Sequence, residues 1–196
     1  MRLELIRGIA AMLLIGVGAS GVRGDDQNAG KKNEANADAV VLADFQDRVK
    51  KYVELHKEAA KDAPRMKETS DPAKIRDAQV ALAKKIAAMR KTARQGDIFT
   101  PEVRPLLRRL MYPELKGAEG RETKEEIKED KPAKPVPLKV NAPYPEGEPL
   151  PTMPANLLQN LPQLPEEVEY RIVGKTLILR DVTANIIVDF LPNAIR

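Results

Sequence analysis

Prolines divide this chain before anything else does. Ten of its sixteen fall between Pro132 and Pro165, and each fixes φ, removes a backbone donor and pushes the preceding residue out of helical dihedrals. That density forbids a regular helix or a central strand and favours an extended, polyproline-like course, semi-rigid and long in reach. The parts on either side must be read separately.

On the N-terminal side, Leu42, Phe45, Val49, Tyr52, His56 and Ala59 recur at alternating spacings of three and four, the stripe of an amphipathic helix. Asp38 suits its N-cap, and the helix should run out before Pro64. Ser70-Asp71-Pro72 is a second start signal, with proline where its missing N–H costs nothing. The following stripe, Ile75, Gln79, Leu82, Ile86, Met89 and Ala93, should end at Gly96, after Arg90, Lys91 and Arg94. Two matched stripes on a short connection predict an antiparallel helical hairpin. Thr100-Pro101 opens a third, shorter helix with Val103, Leu106, Leu107, Leu110 and Met111 on its apolar face, ending at Pro113; Pro105 should bend its first turn.

The charge-dense run Arg121 to Lys131 has one sizeable apolar residue, Ile127, and supports at most a marginal helix. Past the prolines, Asn156 to Leu161 allows one short helical turn. Val168 to Asp181 then predicts two strands about a Gly174-Lys175 turn that needs positive φ at glycine. Ala184 to Leu191 adds a third. Val168, Tyr170 and Ile172 share a face, as do Leu177 with Leu179 and Ile186 with Val188 and Phe190. A sheet this small is not stable alone, so its apolar face should dock on the helices or on a partner.

Aromatic content of 4%, with no Trp, leaves a core made mostly of Ala, Leu, Ile and Val. The expected fold class is mainly α: an N-terminal amphipathic helical hairpin plus a short third helix, a Pro-rich linker, and a small C-terminal β-hairpin or three-stranded sheet. The absence of Cys removes disulfides, thiolate metal sites and cysteine nucleophiles together. A single His excludes a multi-histidine metal site and a histidine acid–base pair, leaving only carboxylate chemistry open.

The first residues carry a different message. Met1 to Arg7 is a short basic region, and Gly8 to Val17 (GIAAMLLIGV) is an apolar run of signal-peptide length, where a membrane span needs roughly 20 residues. Small residues follow, with cleavage expected near Gly24; an uncleaved anchor or buried N-terminal helix is the competing reading. The chain then divides into a signal peptide (1–24), a disordered leader (25–37), a helical domain (38–115), a charged and Pro-rich linker (116–155) and a small β module (156–196). No later segment is apolar enough to span a membrane, so a soluble periplasmic or secreted bacterial protein is expected.

The formal charge of +4 falls to about +2 once Arg2, Arg7, Arg23 and Glu4 leave with the signal, which is weak evidence for a polyanionic partner. Between Asp38 and Lys116, eighteen Lys and Arg face twelve Asp and Glu, a local +6. Such a surface can attract anionic headgroups or acidic polysaccharide, but without interleaved aromatics nucleic acid is not expected. Expected partners are another envelope protein or the anionic envelope surface, with oligomeric state left open.

No residue is assigned a catalytic, cofactor-binding or metal-binding role. His56, the sole imidazole, reads as a satisfied packing or rim histidine. Asp181 and Asp189 flank the last strands and read as turn and solvent-face aspartates, since spacing alone does not bring two carboxylates onto one substrate. Gly174-Lys175-Thr176 lacks the upstream glycine and the helix of a phosphate-binding loop. Glu125 to Asp130 lacks the alternating ligands and central glycine of a calcium loop.

Leu164-Pro165, Tyr170-Arg-Ile-Val-Gly174, Leu177-Ile-Leu-Arg-Asp181 and Ile186-Ile-Val-Asp-Phe190 resemble the C-terminal module of small uncharacterised exported proteins of Gram-negative bacteria. The likeness covers about the last thirty residues, implies a periplasmic or secreted setting, and carries over no functional residue. The hairpin also resembles small periplasmic chaperones, without a repeated motif to mark the relation. The expectation is a non-enzymatic exported protein for partner binding or scaffolding; the alternative is a carboxylate-dependent hydrolase of envelope polysaccharide.

Overall fold

The apolar stripe on the N-terminal side becomes a helix of greater length than its stripe. The structure, a computed structural model, describes residues 25–61, 71–145 and 147–195. Two compact units divide the chain, Met1–Ala35 and Asn36–Arg196. The expected signal peptide lies outside the described residues. Helix α1 spans Asp25–Lys61, so the expected disordered leader (25–37) is helical. It has no proline, several good helix formers such as Ala29, Lys31, Lys32 and Glu34, and two acidic residues at the positive end of the helix dipole. Asp38 is therefore mid-helix and pairs with Arg109 instead of capping. Phe45, Val49, Tyr52, His56 and Ala59 are buried, as their spacing required, whereas Leu42 of the same stripe is half-buried and Val53, outside it, is buried as well.

Helix α2 spans Pro72–Met89, with the Asp71 carboxylate accepting the Ala73 N–H at 3.0 Å and Pro72 in the first turn. It ends short of the expected stop at Gly96, and Met89 is exposed. The reason is tertiary. Arg90 lies over the Tyr52 ring, 4.9 Å from its centroid, and donates to Asn141 Oδ1 at 2.8 Å and to the Val188 carbonyl. Its own carbonyl accepts from Asn141 Nδ2 at 3.0 Å. These bonds take the place of another helical turn.

Helix α3 spans Val103–Met111 and passes into a 3₁₀ turn over Tyr112–Leu115. The charged run forms α4, Gly117–Glu129, which buries Thr123 and Ile127. Gly120 makes this possible: a Cβ there would lie 2.2 Å from the Leu115 carbonyl carbon, so only glycine lets the helix fold back onto the 3₁₀ turn. Helix α5, Ala155–Asn160, buries Leu157. Among the described residues, no helix is long and apolar enough to cross a membrane.

Strands β1 (Val168–Val173), β2 (Thr176–Asp181) and β3 (Ile186–Leu191) form an antiparallel sheet in that order. Gly174, at φ +62, opens the β1–β2 turn as its sequence required. Between β2 and β3 the pairing steps from Leu179↔Asp189 to Arg180↔Ile187, leaving Val188 as the extra residue of a β-bulge. The strands thus pair within the chain, and the fold is mainly α with a C-terminal sheet.

One face of the sheet, carrying Tyr170, Ile172, Leu177 and Leu179, joins α1, α2, α3 and α5 in a single core, with Phe45 stacked on Phe99. The two long stripes therefore share one core with a sheet face. The other face presents Val173, Ile178 and Phe190, and the proline-rich segment covers it with Val136, Leu138, Tyr144 and Leu150. The expected linker (116–155) is thus not a free tether. Proline bars this segment from a helix or ladder but not from laying apolar side chains on a sheet, and Pro132, Pro151 and Pro154 are themselves buried.

Candidate functional site

Three side chains that the sequence scatters meet in the core. Tyr52 and His56 stand one helical turn apart on α1, and Asp181 ends β2 on the core face, across from Val168. Asp181 Oδ2 accepts from Tyr52 Oη at 2.6 Å and lies 2.6 Å from His56 Nδ1, while Oδ1 accepts the Ala184 N–H at 2.7 Å. Asp181 has no exposed surface and His56 only 6%. The carboxylate fixes the tautomer, because only an Nδ1–H can face it. Its hydrogen bond and charge hold His56 above the ordinary histidine range against the opposing effect of burial. Burial, with the same carboxylate, pushes Tyr52 far upward, so its phenol stays protonated. His56 is a satisfied packing histidine, as expected; Asp181 is not the turn aspartate the sequence suggested.

Asp189 departs further from its expected place. It is fully buried. Its Oδ1 accepts the N–H groups of Gly96 and Phe190 at 2.9 and 2.8 Å, and its Oδ2 those of Ile98 and Phe99, both at 2.8 Å. The extra residue at Val188 is the cause: it shifts the alternation by one, carrying Asp189 to the core face and Phe190 to the other. The two aspartates do not converge. Asp181 fastens α1, and Asp189 fastens the loop between α2 and α3.

The remaining candidates are structural as well. Gly174-Lys175 is the β1–β2 turn and Thr176 the first residue of β2, and the Lys175 carbonyl accepts from Ala194. Of the acidic run, Glu125 pairs with Lys128, and Asp130 accepts from both the N–H and the hydroxyl of Thr152. In the basic helical segment, Arg48, Lys51 and Arg109 pair with carboxylates of the same segment, which its +6 already counts, while Lys57 pairs with Glu167 from outside it and so offsets one charge of that excess.

What sequence reasoning missed is a groove of about 800 Å³ beside β1. Its walls include Met153, Leu158, Leu161 and Leu164, and its floor carries Tyr170 and Arg171. The Tyr170 hydroxyl and Arg171 Nε are buried without a hydrogen-bond partner, the phenol on the core face of the sheet, and burial alone drives the Tyr170 phenol far above its ordinary pKa. The backbone adds to this. Glu167 accepts the Val182 N–H across the β1–β2 pair, so Glu169, Arg171 and Val173 turn their backbone groups toward β2, and Tyr170 and Ile172 turn theirs to the outer edge. Among the described residues, no backbone hydrogen bond from another segment reaches that edge at Tyr170 or Ile172. The opposite edge is covered at the start of β3: Asn141 donates to the Ile187 carbonyl, Ile187 to Ala142 and Tyr144 to Asn185, at 2.8, 2.9 and 2.9 Å.

Comparison of the chain with protein families, with curated proteins and with solved structures finds no match to any of them.

Proposed function

We propose that this chain is an exported, non-enzymatic protein of the periplasm or extracellular space that binds an extended segment of a partner protein in the groove beside β1. The observation that carries the reading is the unpaired β1 edge lying on the floor of that groove. Strand addition supplies main-chain hydrogen bonds from a peptide, while the flanking pockets sort its side chains. Tyr170 and Ile172 are 3% and 1% exposed, so a strand pairs with this edge only as the groove wall beside Tyr170 moves aside. A recessed edge admits a single extended strand more readily than the rim of a second sheet. The apolar walls supply packing, and the Glu169–Arg171 pair among the lining residues supplies polar groups, the usual make-up of a specific site.

A carboxylate-dependent hydrolase would draw first on Asp181 and Asp189, and both carboxylates are already occupied by protein donors. No feature of the groove favours that alternative.

Leu158 is 47% exposed on the groove wall, so Leu158→Arg obstructs the groove without opening the core. Protein beginning at Asp25 should retain a partner from envelope extracts, and the Leu158→Arg variant should lose it. Amide exchange at Tyr170 and Ile172 should slow when that partner is bound. Equal retention by the two proteins, or unchanged exchange at both amides, would refute the reading.

A further inference from the structure

Burying a carboxylate is costly unless a positive charge or a full set of donors accompanies it. Among the described residues, Asp181 has three donors, from Tyr52, His56 and Ala184, and the cationic group in direct contact with it is the imidazole of His56. We propose that the His56–Asp181–Tyr52 cluster is a pH-responsive latch, which holds α1 on the sheet while His56 is protonated and loosens it once the imidazole becomes neutral.

The chemistry defines which proton is involved. Nδ1–H faces Asp181 in both states of the ring, so the proton lost on titration is the one on Nε2. The hydrogen bond to Asp181 survives that loss, but its ionic character does not, and a buried negative charge is left facing neutral donors. The charged groups around His56 come from every element packed there. Asp181 approaches from β2 and Glu167 from the segment before β1, both favouring the imidazolium; Lys57, on α1 itself, opposes it. Lys57 is in turn paired with Glu167 at 2.9 Å. Arg90, at the end of α2, rests on the Tyr52 ring and is anchored to Asn141 and Val188. It leaves His56 the nearest positive partner of Asp181.

The direction follows from linkage. A histidine held above its unfolded value, about 6.5, stabilises the fold fully below that pH and progressively less as pH rises through the folded value. Only the α1 side of the core depends on this contact. The β2 side of Asp181 keeps the Ala184 N–H and the strand pairing. Loosening should therefore begin at α1, and it stands apart from the groove reading.

The chain has one histidine, so ring-proton NMR of the protein from Asp25 onward reports His56 without assignment ambiguity. His56 should titrate above about 6.5, and α1 amides between Val49 and Ala59 should lose protection, corrected for intrinsic exchange, before those of β2 as pH rises from 6 to 9. His56→Gln keeps a neutral donor to Asp181 and should abolish the pH step in stability. A His56 titrating at or below about 6.5, a step that persists in His56→Gln, or simultaneous loss of protection in α1 and β2 would each overturn the latch. If His56→Gln does not fold, the titration and exchange of the unaltered chain decide the question alone.

Discussion

Asp189→Asn tests whether a buried carboxylate organises the loop between α2 and α3. Four backbone N–H groups, from Gly96, Ile98, Phe99 and Phe190, point at two oxygens. An asparagine offers one oxygen and one NH₂, so at least two of these donors face another donor, and all of them lose a charged acceptor. A hydrogen bond to a charged group contributes about 1.5–3 kcal/mol, so losing two costs roughly 3–6 kcal/mol. Against a total stability of about 5–15 kcal/mol for a folded domain, that is a large fraction. For a chain of this size each kcal/mol moves Tm by about 2–4 °C, so a fall of roughly 6–24 °C is expected by circular dichroism. Asp189→Ala, which removes every acceptor, should lie at or beyond the upper end. The reasoning fails if Asp189→Asn melts within about 2 °C of the unaltered chain, since a solvent-face aspartate would give that result.

Tyr52→Phe removes one of three donors from Asp181 and should cost about 1.5–3 kcal/mol in urea unfolding; a change under about 0.5 kcal/mol would show the bond to be dispensable. Leu107 is fully buried where α3 meets the sheet, so Leu107→Ala should cost about 2–5 kcal/mol, read from the urea midpoint. Gly174→Ala meets no atom within 4 Å and so carries only the dihedral penalty of about 1–2 kcal/mol at φ +62; a larger loss would mean that the turn is packed. Tyr144→Ala should cost about 3–5 kcal/mol, because Tyr144 is buried on Val173 and Ile178 and its hydroxyl donates to the Pro149 carbonyl. A cost near zero would return the proline-rich segment to the status of a tether.

The helices and strands were legible because their signals are local and periodic. Phe45, Val49, Tyr52, His56 and Ala59 are buried at the spacing the sequence displays, and Asp71-Pro72 starts α2 by its own side chain and ring. Asp181 was legible too, by a step not taken: it continues the parity of Leu177 and Leu179, so the pattern that buries those two buries it as well. A carboxylate on a core face and a tyrosine and histidine on a core stripe are three polar groups that must find one another. Asp189 was not legible, because its inward turn depends on the bulge at Val188, and no residue there announces an extra position. The end of α2 was hidden for a similar reason, since Arg90 leaves the helix for partners far along the chain. The groove needed the third dimension, being formed where the segment around Met153 to Leu164 passes the first strand.

The sheet's two edges are treated differently, and the difference bears on function. An unpaired strand is a standing invitation to pair with another chain, and proteins usually cover it, shorten it or blunt it with charge, proline or a bulge. Here the segment Asn141–Tyr144 covers the edge at the start of β3, while the same proline-rich run lays Tyr144 on the outer face of the sheet. Along β1 no proline or bulge intervenes, and its two charged side chains, Glu169 and Arg171, neutralise each other at 2.6 Å. The protection that remains is depth, because Tyr170 and Ile172 are buried and the groove walls stand beside Tyr170. Depth excludes broad, indiscriminate edge pairing and still admits one narrow strand. A fold that only needed a silent edge could have covered β1 with a passing segment, as it covers the start of β3.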